Sequence, residues 1–351
     1  MESAIPERLR CPRTRAARAS NDYTPPYPAW VARFDPTTTQ VVTAYFGVQC
    51  EGGRRKALAA IQPILDQLSL PHGPRHHDLA HHVDAQGHDT VIAIAYWDAV
   101  APFHQWIAQS EVDAWWQARA RLDEGVGYFR EVFCPRVERF ETLFSTPDKF
   151  EGAGLLASHL SDEIQEHGYW GGMRDRIPAS QTDALDAGQP STNHPQPGHR
   201  VVVPGHDNVA LIRSGQDWGE TDGEERRLYL SDIEPVLVTG TDFLEQKGDS
   251  VGCHYNRYMH HIDRAGNPIE KSFGLSLWRT LEHMERWSES HPTHLAIFGT
   301  FMQVVQQMNF QLKLRLYHEV LVVKADEQLY EYVNCHPKTG ILRVAQAPAL
   351  A

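Results

Sequence analysis

The chain carries one pattern twice, and this duplication limits its possible folds more than any single motif does. Tyr96-Trp97 closes one apolar run and Leu277-Trp278 closes another, and each is followed at the same spacing by a second tryptophan, Trp106 and Trp287. Beyond it, "AQSEVDAWW" parallels "SESHPTHLAIF", which sets Asp113 opposite His294. Further on, "YFREV" (Tyr128 to Val132) answers "LYHEV" (Leu316 to Val320), which sets Arg130 opposite His318. Only the second unit has histidine at both matched positions. Related units bury their apolar faces against each other, and specialisation of one copy then leaves a single site.

At 351 residues, 41% of them hydrophobic, the chain is long and apolar enough for two domains or one large double module. No apolar run approaches the roughly 20 residues that cross a bilayer, and "MESAIPERLRCPRTRAARAS" lacks the hydrophobic segment of a secretory signal, so a cytoplasmic location without a membrane partner is expected. A net charge of −12 disfavours a nucleic-acid partner. The basic residues of the first twenty positions read as an exposed arm that could pack on a second subunit. Cys11, Cys50, Cys134, Cys253 and Cys335 show no C-x-x-C spacing, which points to reduced thiols rather than a disulfide framework or a zinc site. The histidine-rich "HGPRHHDLAHH" (His72 to His82) reads as a polar, solvated loop rather than a metal cluster.

Hydrophobic periodicity gives strands at Gln40–Cys50, Thr90–Trp97 and Gly127–Pro135, with helices at Arg54–Leu68 and Pro102–Ala118 between them. A Gly-, Pro- and Ser-rich stretch follows, with one short helical candidate at Leu156–Glu166. The second unit repeats the order: strand Asn208–Ser214, helix Glu224–Leu244, strands Gly252–Ile262 and Ile269–Trp278, helices Leu281–Ser288 and Pro292–Met308, strands Leu312–Lys324 and Leu329–Asn334. The expected fold is α+β: two ferredoxin-like repeats whose sheets pack into a barrel-like core. The expected boundaries are an arm at 1–36, a first repeat at 37–150, a linker excursion at 151–199, a second repeat at 200–340 and a tail at 341–351.

Pro292 suits a first helical turn, so His294 should lie near a helix N-terminus, on a stripe with Phe298, Phe301 and Val305. That position disfavours imidazolium and keeps a lone pair available to a metal, and one axial histidine suffices for haem iron. On the strand Leu312–Lys324, His318 is the only polar group on a face with Leu314, Leu316, Val320 and Val322; it is either a satisfied core histidine or a pocket acid/base. Ser214 ends a strand, Glu141 sits in "RFETLF", and "MRDR" offers Arg174 and Arg176. Each has an ordinary structural explanation as well as a functional one. There is no P-loop, no dinucleotide fingerprint and no nucleophile elbow, which removes nucleotide cofactors and a serine hydrolase.

Along nearly the whole chain, "CPRT", "WVAR", "GYFRE", "QEHGYWGGMRDR", "GHDNVALIRSGQDW", "ERWSESHPTHL", "LRLYHEV" and "YVNCHPKTG" occur in order, and in them the sequence resembles the haem-containing aldoxime dehydratases. The resemblance implies haem b with His294 as the axial iron ligand. It also implies His318 as distal acid/base, and Ser214, Glu141 and Arg176 (or its neighbour Arg174) as distal-site groups. It further implies a homodimer of the chlorite dismutase and dye-decolourising peroxidase fold group. The implied activity is dehydration of an aldoxime, bound through nitrogen to ferrous haem, to a nitrile. The alternatives are a haem peroxidase or chlorite-dismutase-like oxidoreductase, and a haem carrier or sensor without catalysis.

Overall fold

The computed structural model describes residues 1–188 and 199–345. In the first half, β1 (Ala32–Arg33), β2 (Val42–Cys50), α1 (Arg54–Leu68), β3 (His76–Val83), β4 (Asp89–Trp97), α2 (Val100–Ile107), α3 (Ser110–Gln117), β5 (Gly127–Phe133) and β6 (Phe140–Phe144) follow one another. Next come β7 (His159–Leu160), α4 (Gly172–Arg176) and β8 (Arg200–Val203). The second half runs β9 (Val209–Asp217), α5 (Gly223–Leu228), α6 (Glu234–Lys247), β10 (Cys253–Ile262), β11 (Pro268–Trp278), α7 (Leu281–Ser290), α8 (Pro292–Gln307), β12 (Arg315–Val323), β13 (Gln328–Val333) and α9 (Leu342–Ala345).

One eleven-stranded antiparallel sheet takes the order β6-β12-β9-β11-β10-β3-β4-β2-β5-β13-β8. If the four main strands of each half are numbered along the chain, both halves read 2-3-1-4 across the sheet, joined through their second strands. The duplication is visible in side chains too. Trp97 and Trp106 lie 5.3 Å apart at 46°, and Trp278 and Trp287 lie 5.5 Å apart at 42°.

The seam between the halves is the histidine-rich segment, where His81, Ala80 and Leu79 of β3 pair with His260, His261 and Ile262 of β10. The expected solvated loop is therefore an interior strand. Its polar composition hides this, because neighbours on both sides take its backbone groups, while His76 and His81 bond Asp78 and Asp89 at 2.9 and 2.7 Å. This pairing also replaces the two packed sheets of the sequence reading with one continuous sheet. Strands cross between the halves as well: β6 pairs with β12, while β13 and β8 extend the first half beyond β5.

Ile92, Ile94 and Phe129 share one buried cluster with Leu211, Leu275 and Leu321, so one face of the sheet curls onto itself. Among the described residues no ladder joins β6 to β8, so the curl is not a closed barrel. Inside it, at matched positions of the two units, lie Glu131 and Glu319. Glu131 receives Arg257 at 2.7 Å and the hydroxyls of Tyr255 and Tyr332 at 2.8 and 2.6 Å. Glu319 receives the Tyr96 hydroxyl at 2.8 Å and the Ala153 N–H at 2.7 Å. The helices cover the outer face.

Two further expectations change. Leu156–Glu166 forms no helix: Ser158 N–H bonds the Arg33 carbonyl, Ser161 N–H bonds Val31, and Val31 N–H bonds Ser161 Oγ, so pairing with β1 outweighs local propensity. The arm packs on its own chain rather than standing free. Ser3 Oγ and Ala4 N–H bond the Glu166 carboxylate at 2.7 Å, Arg18 N–H bonds Asp175 at 2.8 Å, and Cys11 N–H bonds Gln181 at 3.0 Å. Within the expected excursion and tail, residues 189–198 and 346–351 lie outside the described residues.

Candidate haem and acid–base site

A straight row crosses the outer face of the second half: Leu143 (β6), His318 (β12), Ser214 (β9), Gly274 (β11) and Tyr258 (β10) are successive Cα partners. All five are only partly buried, while Val320, Ser276 and Asn256 in the adjacent row are covered. The helices thus leave a trough over this row. Gly274 widens it, since a Cβ there would find nothing nearer than Thr241 Cγ2 at 3.8 Å. In the first unit, the position matching Ser214 is Phe46, which pairs with Arg130 as Ser214 pairs with His318. Phe46 packs at 5.5 Å against Trp106 and 6.2 Å against Trp116, so that space is filled.

His318 Nε2 lies 2.9 Å from Glu141 Oε1 and 2.9 Å from Arg176 Nη2. Arg176 also donates from Nε to Glu141 Oε2 at 2.7 Å and from Nη1 to the Glu166 carbonyl at 2.8 Å. Glu141 and Arg176 are almost fully buried and His318 only partly so. Burial works to raise the Glu141 carboxyl, but Arg176 and His318 outweigh it and hold it below its ordinary range. This arrangement gives Nε2 a partner in either protonation state. With a proton it donates to Glu141; without one its lone pair accepts from Arg176. The ring can gain or lose a proton with little rearrangement around it.

Arg174 points elsewhere: it forks onto Glu285 at 2.6 to 3.0 Å and bonds the Ala184 carbonyl. Of the two arginines, Arg176 is the one beside His318.

His294 sits in the first turn of α8. Its Nδ1 donates to the Ser288 carbonyl at 2.8 Å, which leaves the lone pair on Nε2, the tautomer a metal ligand needs. Burial pushes this imidazole down to about 4, against the opposing pull of that hydrogen bond, so it is neutral at ordinary pH. Trp287 and Trp170 flank the ring at 4.7 and 5.6 Å, and Trp170 reaches Phe298 at 5.1 Å. Trp170, Leu295 and Phe298 are 39%, 42% and 40% exposed, an apolar surface left open beside a ligand-ready imidazole. Trp170, which flanks His294, and Arg176, which contacts His318, belong to one short segment of the chain. A neutral histidine, an apolar flank and a trough cleared by a glycine suit a flat, largely apolar macrocycle.

Of the sequence candidates, His318, Glu141 and Arg176 are joined by side-chain contacts and Ser214 is the cross-strand partner of His318, while His294 stands on α8 with partners of its own. Sequence reading missed Gly274 and Trp170. A glycine inside the strand pattern "SFGLSLW" was the available signal for the first. Trp170, one aromatic among many, carried no signal for its contact with His294.

A family model for haem-containing dehydratases matches residues 44–341. An aliphatic aldoxime dehydratase of Rhodococcus globerulus is 50% identical over 98% of both chains, and one of Pseudomonas chlororaphis is 50% identical over 98% of this chain and 99% of its own. A solved aldoxime dehydratase in complex with butyraldoxime superposes with a TM-score of 0.93 at 49% identity, covering 98% of this chain and 96% of that one. The chain belongs to the haem-containing dehydratase family.

Proposed function

We propose that this protein dehydrates aldoximes to nitriles at a haem b ligated by His294, with His318 as acid/base and Ser214, Glu141 and Arg176 as its supporting groups. Haem held by His294 would supply an iron able to bind the oxime nitrogen and weaken the N–O bond. Hydroxide leaves poorly, so a proton from imidazolium His318 to the departing oxygen accelerates the step by about 10² to 10⁴. Glu141 stabilises that imidazolium. The ring, now neutral, accepts the carbon-bound proton, so proton and water balance close within one cycle. In this reading Ser214 holds the oxime hydroxyl, a role supported by its cross-strand pairing with His318. The apolar flank takes the substrate's carbon chain.

The observation that carries this reading is the doubly served Nε2 of His318. A peroxidase or chlorite-dismutase-like site often uses a distal arginine, whereas Arg176 bonds Glu141, the Glu166 carbonyl and His318. A carrier has no use for such a cluster. Incubating dithionite-reduced, haem-loaded protein with butyraldoxime should yield nitrile by chromatography; none in the reduced state ends the proposal. His318→Ala should keep the Soret band and lose turnover, while His294→Ala should lose or weaken haem.

The same proposal includes a pair of ferredoxin-like repeats related to the chlorite dismutase group, supported by the strand order common to both halves. It also includes a cytoplasmic homodimer. No helix among the described residues is long and apolar enough to cross a membrane, and Val202 is exposed on the edge strand β8. Sedimentation of the purified protein tests the dimer.

A further inference from the structure

A cavity of about 50 Å³ lies on the outer side of β6, and its wall includes both buried charges of the acid–base cluster, Glu141 and Arg176. Its other side is the arm, through Ala4, Pro6 and Arg8, with Ala32 between. A water needs about 10–15 Å³ of such volume, so the space holds a few; most of its lining is apolar, and Arg8, Arg33, Glu141, Thr142 and Arg176 are the residues that can offer them partners. The roof is fastened: Ala4 N–H is tied to Glu166, and Arg33 Nη2 donates to the Ser3 carbonyl at 2.7 Å and to Glu2 at 2.9 Å. Arg8 is exposed at the mouth. Glu141 and Arg176 thus both line this cavity and contact His318.

We propose that this cavity is a water-filled port through which His318 equilibrates its proton with solvent while substrate and haem close the front of the site; the inference rests on the acid–base reading of His318 given above. In the inward direction a hydronium proton passes along the cavity waters to a Glu141 carboxylate oxygen, and Glu141 gives a proton to Nε2 of His318, leaving water outside and the carboxylate restored. No electron moves. The charged and titratable groups around the path are Arg176 from α4, Arg33 and Arg8 from the arm side, and Tyr27 and His167 beside Arg176.

Two measurements test the port. A high-resolution crystal structure of the haem-loaded protein should show ordered water from Arg8 to Glu141; a dry cavity overturns the proposal. In a stopped-flow pH jump on the ferrous carbonmonoxy protein, the band that reports His318 protonation should relax at least tenfold more slowly in Ala4→Leu or Ala32→Leu, which put apolar bulk into the cavity wall, with the same end point. Ala4→Ser, which adds little volume, should relax as the parent does, and this separates plugging from a disturbed arm. Relaxation at the parent rate in both leucine variants overturns the port and leaves the dehydratase reading standing. If the band of the parent does not respond to pH and His318→Ala does not alter it, His318 is not over the iron, and both proposals fall.

Discussion

Glu141 is the residue on which the site's electrostatics turn, because it is buried and bonds both Arg176 and His318. Glu141→Gln keeps the shape but removes the charge that balances imidazolium His318. Turnover should fall on the order of 10²-fold or more with haem content unchanged, as read by nitrile formation against the Soret absorbance. Arg176→Ala does different damage. It leaves the carboxylate of Glu141 buried without its guanidinium, a loss of about 3–5 kcal/mol that a urea midpoint would register. From sequence alone the roles of these residues rested on resemblance, since periodicity assigns a face but says nothing about which carboxylate meets which guanidinium. The choice between Arg174 and Arg176 needed the direction of a short helix, and two positions apart on such a helix point to different sides.

At the level of elements, β11 explains why the second unit has a trough and the first does not. Gly274→Leu should fill it: hemin titration should show at least a tenfold weaker affinity, while the thermal midpoint of the haem-free protein stays within a few degrees, since a Cβ there meets nothing nearer than Thr241 Cγ2 at 3.8 Å. Equal haem affinity would mean that the macrocycle does not lie over this strand. Most elements were legible, because β2, β4, α1, α7 and α8 have strong periodicity and clear ends. Three were not. β3 is interior yet histidine-rich. β7 is held by tertiary bonds to β1. The helix expected as Pro102–Ala118 is two, α2 and α3, a boundary that a continuous apolar pattern does not reveal.

For the molecule as a whole, acid is the predicted weakness. Burial, helped by nearby guanidinium groups, pushes His254 down to about 4 and His82 and His261 down to about 3. The unfolded chain binds these protons near 6.5, so stability that is full above that pH is lost as pH falls toward 3–4, on the order of 1 kcal/mol per pH unit for each histidine. The urea midpoint should therefore drop between pH 7 and 5 with little change in slope, and an unchanged midpoint would mean that these rings are not held neutral.

The crossing of strands between the halves has a consequence for how the molecule is made. β5 gains its outer neighbour only from residues 328–333, near the end of synthesis, so the first half emerges from the ribosome with a bare hydrogen-bonding margin. A messenger truncated after β12 would encode all five proposed site residues and still leave that margin of β5 uncovered.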